Sequence, residues 1–341
     1  MLKKIIFIFI LSGGYFVAIQ AQVVHKPAEI ADIIKNSKIT YTQAELYIDI
    51  PDVDYSNIVN SDKIYNEDSG GVTVQKKMVL PKEAHTEWYA GERALNDEND
   101  YKEARKHYKN VLDIAPDYYP AKMQIAKTFE KEENYEKAEA SYKQAISKNY
   151  IDYMPHWLIA EVYLKDKKID EAINEITIAA ILNRNDTLIQ QDLNEIYADS
   201  KLKYSDWQFT PQYKVFKGQK PNNIEVLSQK NWGGYAAGKA IWAYEPGYAE
   251  SQGEKPGKPS LLEEKECLLN LLAGLSEKID DEQDPELSNL QDAKEDKLID
   301  GFAYYEILLP QQPSLVYQLP NNVIKGIKNY VLMAHGGVTP R

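Results

Sequence analysis

The sequence predicts an all-α fold: a helix-turn-helix solenoid closed by a capping helix, followed by a C-terminal α-helical domain and preceded by a mixed, irregular N-terminal extension. Two observations predict the solenoid. Ala104, Ala138 and Ala172 recur at a fixed interval of 34 residues, and self-similarity at a fixed period is the signature of a repeat architecture. Around each alanine the bulky and small apolar positions fall at helical spacing: Tyr101, Tyr135 and Ile169 three before it, Tyr108, Tyr142 and Ile176 four after it, Val111, Ala145 and Ala179 seven after it. A third observation, leucine-rich stripes at the same spacing beyond residue 224, predicts the C-terminal domain. The divisions are 1–21, a leader; 22–84, the extension; 85–186, three units; 187–204, the capping helix; 205–223, a connector; and 224–341, the helical domain.

Residues 1–21 have the grammar of a secretory signal peptide. Lys3 and Lys4 give the positive end, Ile5 to Leu11 an unbroken apolar core, and Ala21 a small residue where cleavage is expected. An uncleaved anchor is the alternative, but the apolar stretch is short of the ~20 residues of a membrane span. The expectation is an exported protein of the periplasm, the cell envelope or the exterior, with no stable membrane insertion after cleavage. The single cysteine, Cys267, rules out an intramolecular disulfide, and the five scattered histidines have no metal-site spacing. A formal charge of −12, lowered further once Lys3 and Lys4 leave with the leader, argues against nucleic acid as partner. It favours a neutral or basic one.

In the extension, 27–38 reads as one helix, with Pro27 suited to its first turn and Ile30, Ile33 and Ile34 on one face. Helical spacing is lost over 39–82, where short extended pieces are expected at 44–50 and 72–80. The many apolar residues there (Ile48, Ile50, Val53, Ile58, Val59, Ile64, Val79) suit an ordered segment packed on the repeats rather than a free linker.

Position by position, 85–186 resembles the tetratricopeptide repeat, including Trp88 in the first helix and Pro116 closing a unit. Repeat one departs from the pattern with Gly91 and Glu92, where a large and then a small residue are usual. The resemblance implies paired helices A and B whose A helices line a groove. Carried over position by position, it places Tyr89, Met123 and Trp157 in the groove at the fifth position of helix A, and Arg93, Lys127 and Glu161 at the ninth. Such side chains suit a protein or peptide partner. The cation set by which some relatives grip a C-terminal carboxylate is missing, since its positions hold Tyr89, Arg93, Met154 and Leu158. The groove's alternative occupant is the chain's own extension or C-terminal helices.

Residues 187–203 begin a fourth unit that then loses the pattern, and a solenoid's last helix must cover its open end. Beyond the connector, helices are expected at 226–244, at 260–279 with Ser260 as N-cap, at 287–309 and at 321–333.

Three motifs invite chemistry and fail. Gly233 to Ala240 nearly spells a phosphate loop, but Ala240 lacks the hydroxyl that holds magnesium and no apolar strand leads into it. The acidic run 277–300 has Pro285 where a calcium loop needs glycine. Cys267 lies in a leucine-rich helix with no base at hand. No catalytic residue, cofactor site or metal site is assigned. The functional expectation is an exported scaffold or adaptor acting through its groove. The alternatives are a self-associating structural homo-oligomer, or an enzyme in the C-terminal helical domain.

Overall fold

The computed structural model describes residues 24–50, 58–59, 64–69, 72–275 and 285–337. The leader expected at 1–21 lies outside them. Six helices make the three hairpins: α2 (His85–Asn96) with α3 (Tyr101–Ile114), α4 (Pro120–Lys131) with α5 (Tyr135–Lys148), and α6 (Tyr153–Lys165) with α7 (Ile169–Leu182). The repeat alanines Ala104, Ala138 and Ala172 and the aromatic or aliphatic residue one turn on, Tyr108, Tyr142 and Ile176, are all fully buried. On each B helix the small residue permits close approach of a neighbouring helix while the large one a turn on fills the space beside it.

The A-to-B turns repeat as faithfully as the core. Asn99, Glu133 and Lys167 each take positive φ (53°, 57°, 62°), and so does Lys201 (59°), 34 residues further on. Each reverses the chain after an A helix. The Lys201 turn therefore ends the A helix of a fourth unit, α8 (Thr187–Asp199), which packs on α7. No B helix follows it. The oddity of repeat one is also accounted for. A side chain at Gly91 would meet the buried Tyr108 ring at 2.8 Å, and the Tyr108 hydroxyl donates to Glu92 at 2.7 Å.

The N-terminal extension is ordered where described. Helix α1 (Pro27–Asn36) starts on Pro27 as expected and buries Ile30. Strand β1 (Thr40–Glu45) then pairs in parallel with β5 (Asn223–Ser228), which pairs antiparallel with β4 (Tyr213–Lys217). A separate hairpin joins β2 (Ile64–Ser69) to β3 (Val72–Lys77).

These strands correct two expectations. The connector contains β4, and the helix expected from Val226 begins at Gly233, because 223–228 is the central strand of a three-stranded sheet. Ile224 and Val226 turn inward from it. Helix α9 (Gly233–Tyr244), the short α10 (Tyr248–Ser251) and α11 (Leu261–Gly274) follow, and the Ser260 hydroxyl accepts the Glu263 N–H as the expected N-cap. The single helix expected at 287–309 is broken. Helix α12 (Pro285–Glu295) ends before a turn with Lys297 at φ 62°, and α13 (Ile299–Phe302) runs on through a π-helical turn, Ala303–Leu308, into α14 (Leu309–Gln311). Helix α15 (Asn321–Ala334) packs on α7 of repeat three.

Candidate functional site

Residues 58–59, 64–69 and 72–80 form a strap between the C-terminal unit and the first repeat, alongside the turns that lead into the A helices. Its attachment is polar and specific. The Val59 N–H donates to Asn183 Oδ1 at 2.8 Å, just after α7. Asn149, just after α5, donates from Nδ2 to the Ile64 carbonyl at 2.9 Å and to the Tyr119 hydroxyl at 3.0 Å. Tyr119 in turn donates to Asp152 Oδ2 at 2.8 Å, while Asp152 Oδ1 accepts the Met154 N–H and caps α6. A buried chain of hydrogen bonds thus ties the strap to the start of a repeat helix, where an unpaired group would be costly. On its other side, Asn66 and Gln75 both donate to the Tyr317 carbonyl.

Between strap and repeats lies a cavity of about 1020 Å³. Ile58, Val59 and Lys77 to Leu80 form one wall. The repeats form the other, with Trp88 and Tyr89 from α2, Met123 and Lys127 from α4, and Met154 and Leu158 from α6. It is at the upper end of the ~300–1,000 Å³ typical of binding pockets, and like them it is mostly apolar with a few polar groups.

Of the six residues expected in the groove, three meet at this cavity: Tyr89, Met123 and Lys127. Tyr89 is 66% exposed despite its size. The other three are engaged elsewhere. Arg93 pairs with Glu98 on the surface. Trp157 donates from Nε1 to Asp192 of α8 at 2.6 Å, so it joins the last two A helices instead of presenting a free face. Glu161 sits among acids: burial and the Glu130 carboxylate raise its carboxyl above the usual range, and Lys165 bridges to Glu130 at 2.6 Å. The sequence signalled that the extension packs on the repeats, through Ile58, Val59 and Val79 among others, but not that it leaves a cavity there and walls it with Lys77, Met78 and Leu80 as well. Met154 and Leu158, noted only as breaking a cation set, turn out to be wall residues.

Lys239 is held by Glu263 and Glu264, which ends its resemblance to a phosphate-binding lysine. Among the described residues no cluster of His, Cys, Asp and Glu is arranged to hold a metal, and no described helix is long and apolar enough to cross a membrane.

A row of helical hairpins with an apolar cavity on the A-helix side defines a class of protein built for protein–protein contact. Residues 95–152 match the family model for the tetratricopeptide repeat, and the chain carries tetratricopeptide repeats. Curated protein sequences give no match. Similar solved structures include the first tetratricopeptide-repeat domain of Spaghetti (RPAP3) bound to the HSP90 peptide SRMEEVD, at 17% identity and a TM-score of 0.33, over 35% of this chain and 93% of that one. The TPR2B domain of yeast Sti1 in complex with pHsp70 is similar at 17% identity and a TM-score of 0.32, over 36% of this chain and 98% of that one. The CopN–Scc3 complex follows at 18% identity and 0.31, over 35% and 70%. Likeness at this level says nothing of what this chain binds.

Proposed function

We propose that the protein is an exported, non-enzymatic scaffold or adaptor that holds a segment of a partner protein in the cavity between its repeats and its strap, as part of a periplasmic or cell-envelope assembly. The observation that carries this reading is the convergence of Tyr89, Met123, Met154 and Leu158 on one open cavity. An exposed tyrosine beside half-buried apolar side chains in a concavity suits the capture of another polypeptide. In this reading the leader at 1–21 directs export, α8 caps the repeats, and the C-terminal unit fixes the strap.

The test is affinity capture from cell-envelope extract with the wild type and with Tyr89→Ala/Met123→Ala. Loss of specific partners by the double variant is expected, because truncating two anchors of a small interface removes a large share of its binding energy. Recovery of the same partners in the same amounts would overturn the reading. Trp157→Ala serves as contrast: its indole joins α6 to α8, so it should lower thermal stability with a smaller effect on capture.

A further inference from the structure

Among the described residues, the cavity lining sets two lysines against one aspartate, in a chain that is acidic as a whole. Lys77 from the strap and Lys127 from α4 both line it, and neither forms an ion pair with a described residue. The one carboxylate among the described lining residues, Asp152, is committed to the Tyr119 hydroxyl and the Met154 N–H, and His85 faces the Leu80 carbonyl through Nε2. Two lysines therefore stand at an apolar wall of Met78, Leu80, Trp88, Tyr89, Met123 and Leu158, with no free acid among the described lining residues opposed to them.

We propose that strap and repeats together form a composite site for an extended partner segment carrying large apolar side chains beside a carboxylate, the carboxylate lying between Lys77 and Lys127. This deepens the proposed function and rests on it. The formal charge of −12 points toward a neutral or basic partner, but that preference acts at long range. With a screening length of ~8 Å at physiological ionic strength, charges beyond the cavity are largely damped. At contact the local pair decides, and hydrogen bonds from an ammonium to a carboxylate are about twice as strong as neutral ones. The strap is a required half of the site, because it supplies Lys77.

The experiment is panning of a phage-displayed random peptide library on the full chain, followed by fluorescence anisotropy with the most enriched synthetic peptide. Enriched peptides are expected to place Asp or Glu next to bulky apolar residues. Lys77→Glu and Lys127→Glu should each weaken binding about tenfold or more, as expected for loss of a charged hydrogen bond, while Lys77→Arg/Lys127→Arg retains it. Both lysines lie at the surface of the cavity, and circular dichroism checks that each variant folds. Enriched peptides without an acidic preference, bound equally by the Lys→Glu variants but lost in Tyr89→Ala/Met123→Ala, would overturn the carboxylate assignment and leave the groove reading intact. Absence of any peptide whose binding depends on Tyr89 and Met123 would overturn both.

Discussion

Lys239 shows how one residue's chemistry is set by its neighbours. In sequence it occupies the lysine position of a near-complete phosphate loop. In the fold it is buried, donating to Glu263 Oε1 at 2.9 Å and to Glu264, with the Tyr235 hydroxyl donating to Glu264 at 2.6 Å. One ammonium serves two carboxylates, so a negative charge is left over in a dry place. Burial pushes the Glu263 carboxyl up to about 6 from 4.5; Glu264 adds to the shift and Lys239 opposes it. The folded state thus binds this proton more tightly than the unfolded chain does. Wherever the native state holds more protons, stability falls as pH rises, so this contribution is lost between pH 4.5 and 6 and is level above. Glu263→Gln keeps an acceptor for Lys239 and removes the titration. Urea unfolding of both proteins across that window should show the wild type losing up to about 2 kcal/mol relative to the variant. Parallel stability curves would refute the assignment of the proton to Glu263.

At the scale of elements, what was legible depended on whether the partner was near in sequence. The hairpins are local, so the 34-residue period placed all six of their helices, and the left-handed residues at 99, 133, 167 and 201 confirm that the fourth unit begins and then stops. The Ser260 cap and the start of α1 at Pro27 were equally readable, since each acts within one helical turn. Strand β5 was not. Its neighbour β1 lies about 180 residues away in sequence, and six residues of NIEVLS flowing into an alanine-rich helix carry too little alternation to announce a sheet. The same reasoning applies to the cavity: three of the six groove positions taken from the repeat, Tyr89, Met123 and Lys127, line it, while the way the strap walls it required tertiary structure. Helix α9 offers a sharp test at this scale. A Cβ on Gly234 would lie 2.2 Å from the Asn270 carbonyl oxygen of α11, whereas one on Gly233 meets only the Ser228 hydroxyl at 3.8 Å. Forcing backbones apart in a packed core costs about 1–3 kcal/mol. Gly234→Ala should therefore lower the denaturation midpoint clearly and Gly233→Ala should leave it within error. Equal effects would show that α9 and α11 do not approach so closely.

For the whole molecule, the third repeat is where the solenoid ceases to be self-sufficient. In α3 and α5 the buried residues form one narrow stripe, Ala104, Tyr108 and Val111, then Ala138, Tyr142 and Ala145. In α7 they cover a much wider face, Ala172, Ile173, Ile176, Thr177, Ala179, Ala180, Ile181 and Leu182, and leave a polar strip of Asp170, Glu171, Asn174 and Glu175. So wide an apolar face needs cover from more than its own hairpin partner; α15 packs on α7 as well, with Lys328 donating to Asn174 across the joint at 2.7 Å. A second joint is aromatic: His335, stacked between Trp207 and Tyr204, donates from Nδ1 to the Ser205 carbonyl and meets Glu306 through Nε2. Repeats, strap and C-terminal unit should consequently unfold as one body, with the groove held open by a frame that the repeats alone do not possess. The excised segment 85–199 loses the cover that α15 gives to α7, and an uncovered apolar face drives association. It is expected to self-associate in light scattering and to melt well below the full chain. A monomeric fragment that unfolds cooperatively at the full-length temperature would show instead that the repeats stand alone and that the C-terminal unit is only tethered to them.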